Sequence, residues 1–302
     1  MFQTPILFLI FNRPDTTKAV FESIRAIKPL KLYIAADGAR INKFGEDLLV
    51  EETRAIIQSI DWDCEVKTLF RTENLGCKIA VSSAINWFFE NEEQGIILED
   101  DCLPNQSFFY YCEELLDLYK SNSKIMHIGG VNFQNGKKRG NASYYFTSYN
   151  HVWGWATWRR AWCHYDINLN NLKQVSLDNL LKNKFSNESE IKYWKLIYSN
   201  ILNDNISTWD YQWLFSIWAN NGMCISPNIN LIKNIGFNSV GTHTVGNDIL
   251  GLGNMELKNL NTLIHSQDTE INKNADNYVF RNFIKPPIYL YLFKKLIYLI
   301  NK

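Results

Sequence analysis

The chain has no excess of either charge, with 31 basic residues against 31 acidic ones in 302. It therefore has no overall pull toward nucleic acid or toward acidic surfaces, and any basic feature must be local. Its six cysteines, at positions 64, 77, 102, 112, 163 and 224, show no C-x-x-C spacing and no dense framework. That argues against a zinc site and a disulfide scaffold and fits a reduced, cytosolic protein. No stretch reaches the roughly 20 apolar residues a spanning helix needs. The N-terminus lacks a basic region leading into an apolar one and a small-residue cleavage site, so no signal peptide is expected. What the chain does hold is apolar and aromatic: 46% hydrophobic, 14% aromatic, with ten tryptophans. This suffices for one large α/β domain or two smaller ones. Such aromatic content suits ring or sugar binding and a bulky core equally well.

The first hundred residues alternate between two kinds of pattern. The stretches 5–11, 31–36, 64–70 and 96–98 read as strands, the first a continuous apolar run as expected of a parallel strand buried on both faces. Between them, amphipathic stretches at about 16–27, 46–60 and 77–90 read as helices, the first capped by Asp15 or Thr16. Strand and helix in alternation imply a parallel, doubly wound sheet. Ligands of such sheets bind beyond the carboxyl ends of the strands. Arg13, Asp37 and the run Glu99-Asp100-Asp101 all fall at strand ends, so the fold should gather them along one edge.

Three adjacent carboxylates after a buried strand repel one another, and such a cluster persists most easily where a cation or polar ligand compensates it. Hard divalent cations are commonly held by one or two carboxylates together with substrate phosphates. The alternative is a strand end running into solvated acids. A helix at 106–120, a strand at 125–128 and a loop at 132–143 follow. The stretch 153–162 then holds Trp153, Trp155, Trp158 and Trp162, more than the packing of one helix normally uses; some of these rings should line a pocket and about two should be core. The polar, helical stretch 164–205 leads to Thr208-Trp-Asp-Tyr-Gln-Trp213, where Asp210 is a lone carboxylate among aromatic residues. It is a candidate general base and equally a helix cap. His243 is a candidate metal ligand, although a lone histidine is more often structural. Residues 245–276 should be loop-rich. The segment 281–302 has five basic residues and no acidic one. It suits an interfacial helix on anionic lipid, or a helix packed on the domain or a second subunit.

Taken in order, Phe11-Asn12-Arg13, Asp37-Gly38, Asn74-Leu-Gly-Cys-Lys-Ile-Ala80, Ile97-Leu-Glu-Asp-Asp-Cys102, Trp153-Gly-Trp155 and Trp209-Asp210 resemble the GT-A-fold glycosyltransferases that use nucleotide-diphosphate sugars. The nearest likeness is to the N-acetylglucosaminyltransferase I family and its bacterial relatives, over about residues 5–245. The resemblance implies an α/β, Rossmann-like, mostly parallel central sheet flanked by helices over 1–280, followed by the basic helix 281–302. It implies that Asp101 binds Mn²⁺ or Mg²⁺ and that His243 completes the metal shell. Glu99 and Asp100 would face the ribose and donor sugar, Arg13, Asp37 and Lys78 would hold the nucleotide of a UDP-sugar, and Asp210 would be the base. The family's two acids before Trp are here Asp-Tyr-Gln-Trp, which shifts the register of the base.

The expected activity is metal-dependent, inverting transfer of a sugar, GlcNAc or another hexose, to a glycan or glycolipid acceptor. It would serve polysaccharide biosynthesis from the cytoplasmic face of the membrane, with no nucleic-acid partner. A sugar-nucleotide pyrophosphorylase would carry a Gly-rich phosphate loop after the first strand, and 11–15 has no glycine. A carbohydrate-binding protein without turnover is the non-enzymatic alternative.

Overall fold

The computed structural model describes residues 1–172, 174–237 and 251–287. The expected alternation is present. β1 (Ile6–Ile10) leads to α1 (Pro14–Ile27), β2 (Lys31–Ala36), α2 (Glu46–Arg54) with a trailing 3-10 turn, β3 (Glu65–Phe70), α3 (Gly76–Asn91) and β4 (Gln94–Glu99). α1 begins two residues before the expected start: Pro14, which lacks an N–H and has its φ preset, takes the first helical turn, Arg13 becomes the cap residue, and Asp15 falls inside that turn. Val20, Phe21, Ile24 and Ile27 form its buried stripe.

The chain continues through β5 (Cys102–Pro104), α4 (Gln106–Leu118), β6 (Ile125–Gly129), β7 (Tyr144–Thr147), β8 (Trp155–Trp158), the single turn α5 (Arg159–Trp162), α6 (Gln174–Lys184), α7 (Glu188–Leu202), α8 (Asp210–Ala219), β9 (Met223–Pro227), β10 (Ile232–Asn234) and α9 (Lys273–Val279). Eight strands form one sheet in the order β3-β2-β1-β4-β8-β6-β9-β7. All run the same way except β8 and β7, which pair antiparallel with their neighbours. This is a mixed α/β, Rossmann-like sheet, mostly parallel and flanked by helices. A separate ladder pairs β5 with β10 antiparallel.

The tryptophan-rich stretch is largely a central strand. β8 pairs with β4 on one edge and β6 on the other, and all four of its residues are buried, so both its faces are covered and the two-residue alternation of a half-exposed strand is lost. Trp155, Trp158 and Trp162 are all core, one more than expected, and Trp153 alone of the four remains half-exposed. Trp155 stacks on His127 with centroids 5.0 Å apart and on Trp209 at 5.7 Å. Burial pushes the His127 imidazole down to about 3. Both of its ring nitrogens are used in the neutral form: Nδ1 accepts from Trp213 Nε1 at 3.3 Å, and Nε2 donates to the His151 carbonyl at 3.2 Å.

The sign of the resulting pH dependence follows. Above an ordinary histidine value of 6.5 the ring is neutral whether the chain is folded or not. Below it the unfolded chain takes up a proton that the folded one refuses, so stability is lost as pH falls toward the depressed folded value. The slope is up to about 1.4 kcal/mol per pH unit. Urea unfolding between pH 7 and 5 should show a smaller loss of stability in His127→Gln than in the wild type; equal losses would mean that His127 is not the source.

Among the described residues no helix is long and apolar enough to cross a membrane. Of the expected loop-rich span, residues 251–272 are irregular apart from one 3-10 turn and a bridge from Ile271 to Phe146, whereas 273–276 belong to α9. α9 runs on into a π-helical turn, Phe280–Ile284, so helical structure crosses residue 280 without a break. The remainder of the basic segment, 288–302, and His243 lie outside the described residues.

Candidate active site

The register of the parallel strands places Ile10 beside Ala36 and Leu9 beside Glu99. The chain leaving β1, β2 and β4 therefore emerges at one edge, and a cavity of about 770 Å³ opens there. Its wall includes Arg13, Asp37, Glu99, Asp100, Asp101 and Asp210, six of the eight residues expected to form a site. Lys78 lies on α3 but does not line it, whereas its neighbours Gly76 and Cys77 do. The Cys77 thiol is pushed up to about 12 by burial and by the charges of Glu99, Asp210 and Asp37. It sits among three acids from separate elements and is a poor nucleophile at neutral pH.

Asp100 and Asp101 share one guanidinium. Arg13 Nη2 pairs with Asp100 Oδ1 at 2.8 Å and Nη1 with Asp101 Oδ2 at 2.9 Å. Phe11 N–H donates to Asp100 Oδ2 at 3.1 Å, so Asp100 also fixes the chain leaving β1. Burial opposes the charge on Arg13, but the two aspartates hold it charged, above its ordinary value. Burial and then Asp101 raise Glu99 well above the carboxylate range; burial likewise raises Asp100 although Arg13 opposes it. Burial thus disfavours the charged forms of two of these acids, a penalty that a bound cation would relieve, and the donors are hard carboxylate oxygens, the chemistry that suits a divalent cation. Among the described residues no three His, Cys, Asp or Glu side chains converge as a complete metal cage. An ion here would take protein carboxylate oxygens together with oxygens of a bound substrate.

Asp37 explains why two of the sequence motifs occur together. Its carboxylate accepts from Leu75 N–H and Gly76 N–H, each at 3.0 Å, at the start of the sixteen-residue α3. Asn74 Nδ2 donates to the Gly38 carbonyl at 2.8 Å. Gly38 must be glycine because a Cβ there would lie 2.5 Å from the Glu73 backbone. Asp37-Gly38 and Asn74-Leu-Gly are therefore two halves of one joint between β2 and α3. That joint engages both carboxylate oxygens of Asp37, Oδ2 twice and Oδ1 once, so Oδ1 keeps a further lone pair.

Asp210 is the first residue of α8 rather than its cap, and the cap residue is Trp209. The Thr208 hydroxyl donates to Asp210 Oδ1, and Asn150 Nδ2 donates to the Asp210 carbonyl at 3.0 Å. Asp210 and Tyr211 line the cavity, whereas Gln212 is fully buried in the core. In this stretch Asp210 is the carboxylate that lines the cavity. Trp153 closes the same side, braced by Phe133 at 5.5 Å and Phe237 at 5.6 Å.

Two arginines on the cavity wall went unread in the sequence. Arg71 follows β3, and its Nη2 donates to Ser83 Oγ at 2.8 Å. Burial lowers its pKa while Asp37 acts in the opposite direction. Arg40 is held by Glu46, its Nε lying 2.9 Å from Oε2. The rule that ligands gather at strand ends could have found Arg71, since it directly follows an expected strand.

The fold and site define a Rossmann-like α/β protein with an acid-lined cavity at the strand ends. No protein-family model and no curated protein sequence matches the chain. Among solved structures it is similar to S. aureus TarS 1-349, with 9% identity and a TM-score of 0.40 over 76% of this chain and 59% of that one. It is similar to HddC from Yersinia pseudotuberculosis at 9% identity and a TM-score of 0.32, over 53% of this chain and 78% of that one. It is also similar to 4-diphosphocytidyl-2C-methyl-D-erythritolsynthase from Anaerococcus prevotii at 7% identity and a TM-score of 0.34, over 62% and 82% respectively. The chain spans 59% of the length of the first of these. At such scores the likenesses carry no argument about activity, and none singles out the N-acetylglucosaminyltransferase I family.

Proposed function

We propose that the protein is a metal-dependent, inverting glycosyltransferase that moves a sugar from a UDP-sugar to a hydroxyl of a glycan or glycolipid acceptor. The observation that carries this reading is the single cavity shared by Asp101 at the end of β4 and Asp210 at the start of α8, with Arg13 and Asp37 at neighbouring strand ends. Mn²⁺ or Mg²⁺ held by Asp101, with His243 as a further ligand, would supply positive charge to the leaving diphosphate. Asp37 and Arg13 bind the nucleotide end. Glu99 meets the donor sugar, and Asp100 acts by fixing Arg13 and the Phe11 backbone. Asp210, oriented by Thr208, accepts the proton of the acceptor hydroxyl as that oxygen attacks the anomeric carbon from the face opposite the diphosphate. One displacement inverts the centre, and no covalent nucleophile is used. The basic segment 281–302 would hold the enzyme peripherally on anionic lipid at the cytoplasmic face.

The test is a thermal-shift screen of nucleotide-sugars with and without Mn²⁺, because a ligand that binds only the folded state raises its melting temperature. UDP-sugars should raise it in the presence of Mn²⁺, and Asp101→Ala should abolish the Mn²⁺-dependent part of the shift. Donor hydrolysis measured alongside should fall in the same variant. The reading fails if no UDP-sugar shifts the wild type, or if Asp101→Ala binds and hydrolyses donor as the wild type does.

A further inference from the structure

The feature of the cavity that the proposed reaction leaves over is the manner in which Arg13 is held. Its two Nη atoms fork onto carboxylates of adjacent residues, yet its Nε is buried with no hydrogen-bond partner. The acids are tied to the main chain around them. Phe11 N–H holds the Asp100 carboxylate at Oδ2, and Ile235 N–H donates to the Asp101 backbone carbonyl at 2.8 Å, extending the β5–β10 ladder past Asp101. The chain after β10 closes directly over the pair: a Cβ on Gly236 would lie 2.4 Å from Asp101 Oδ2 and 3.0 Å from Arg13 Nη1. Of the partners in this cluster, the long arginine side chain is the one with rotamer freedom to leave.

We propose that Arg13 is a built-in counter-ion that competes with the divalent cation for Asp100 and Asp101. A guanidinium does not lose its proton, so while it is forked onto these oxygens it presents a fixed positive charge to any arriving cation in a poorly solvated site. A nucleoside diphosphate resolves the competition, because its oxygens offer the guanidinium a second bidentate partner and leave the aspartates to the metal. Metal and nucleotide then bind in a coupled way, each raising the affinity for the other by the same factor. The diphosphate half of this inference rests on the function proposed above; the competition itself does not.

The experiment measures Mn²⁺ affinity by electron paramagnetic resonance of the free ion, for the wild type and Arg13→Gln, each with and without UDP. Arg13→Gln should bind Mn²⁺ alone about tenfold or more tightly than the wild type. UDP should tighten Mn²⁺ binding by about tenfold in the wild type and much less in the variant, a coupling of ordinary size. If Arg13→Gln does not fold, Arg13→Lys takes its place, since one ammonium cannot fork onto two carboxylates; it too should gain Mn²⁺ affinity. A folded variant with unchanged or weaker Mn²⁺ binding overturns the competition, even if UDP and Mn²⁺ still couple and the glycosyltransferase reading stands. A gain on substitution with no effect of UDP supports the competition and counts against the UDP-sugar reading. Absence of Mn²⁺ binding in every arm overturns both.

Discussion

Asp210→Asn is expected to lower sugar transfer by about 10²- to 10⁴-fold, the range associated with a positioned general base. It should leave the affinity for UDP close to that of the wild type. The substitution preserves size, and the new amide oxygen can still accept from the Thr208 hydroxyl that now holds Asp210 Oδ1. The Asn150 bond to the residue 210 carbonyl does not involve the side chain and should survive. What is lost is the capacity to take a proton. Because Arg13 and Asp37 come from β1 and β2 and not from α8, binding at the nucleotide end should be indifferent to the change. Steady-state kinetics with a UDP-sugar and calorimetric titration with UDP separate the two effects: kcat falls while Kd for UDP holds. A carbohydrate-binding protein without turnover would show no transfer to lose, and a variant that transfers sugar at the wild-type rate would remove Asp210 from the mechanism.

Trp155→Ala should be the most damaging core substitution, destabilising the fold by about 3–5 kcal/mol. The ring is fully buried at the start of β8, stacked on His127 and Trp209 and tilted against Trp162 and Trp213 at 6.1 and 6.3 Å. Truncation leaves a void that these rigid rings cannot collapse to fill. The effect should also reach the cavity, because Trp209 loses its stacking partner and Asp210 is the next residue. Trp155→Phe, which keeps an apolar ring, should recover a large part of the stability. Urea midpoints for the three proteins check the order, and a Trp155→Ala midpoint near that of the wild type would mean that the stack is not a stability element.

The parts of the fold that could be read from the sequence are those in which a single run of residues carries the whole signal. β1, β2 and β4 carry largely apolar runs bounded by polar breaks, whereas β3, Glu-Val-Lys-Thr-Leu-Phe, is mixed and partly exposed, and all four lie within about two residues of the expected spans. β8 was not recognised as a strand. A central strand loses its alternation, and Trp-Ala-Thr-Trp has no run of β-branched residues to mark it. β7 and β9 are not legible in the sequence because such short strands derive their stability from partners distant in sequence: Tyr144 of β7 pairs antiparallel with Pro227 of β9, and β9 pairs parallel with β6.

The same division runs through the site. By itself the sequence determined the acidic run at 99–101, the arginine and aspartate at neighbouring strand ends, and the carboxylate at 210. Strand ends are local features, and the parallel topology then brings them to one edge. Only the tertiary structure decided how those groups are used. Arg13 meets Asp100 and Asp101 across 87 and 88 positions of sequence because β1 and β4 are adjacent in the sheet. Asp37 is joined to Leu75 and Gly76 because α3 starts beside the end of β2. Lys78 falls off the cavity wall and Arg71 falls on it, and the packing of α3 on β1 and β2 decides which of the helix's side chains face inward. A pattern along the chain specifies which face of an element is apolar. It does not specify which distant charge a given side chain will meet, because that depends on strand order and helix placement, which only packing fixes.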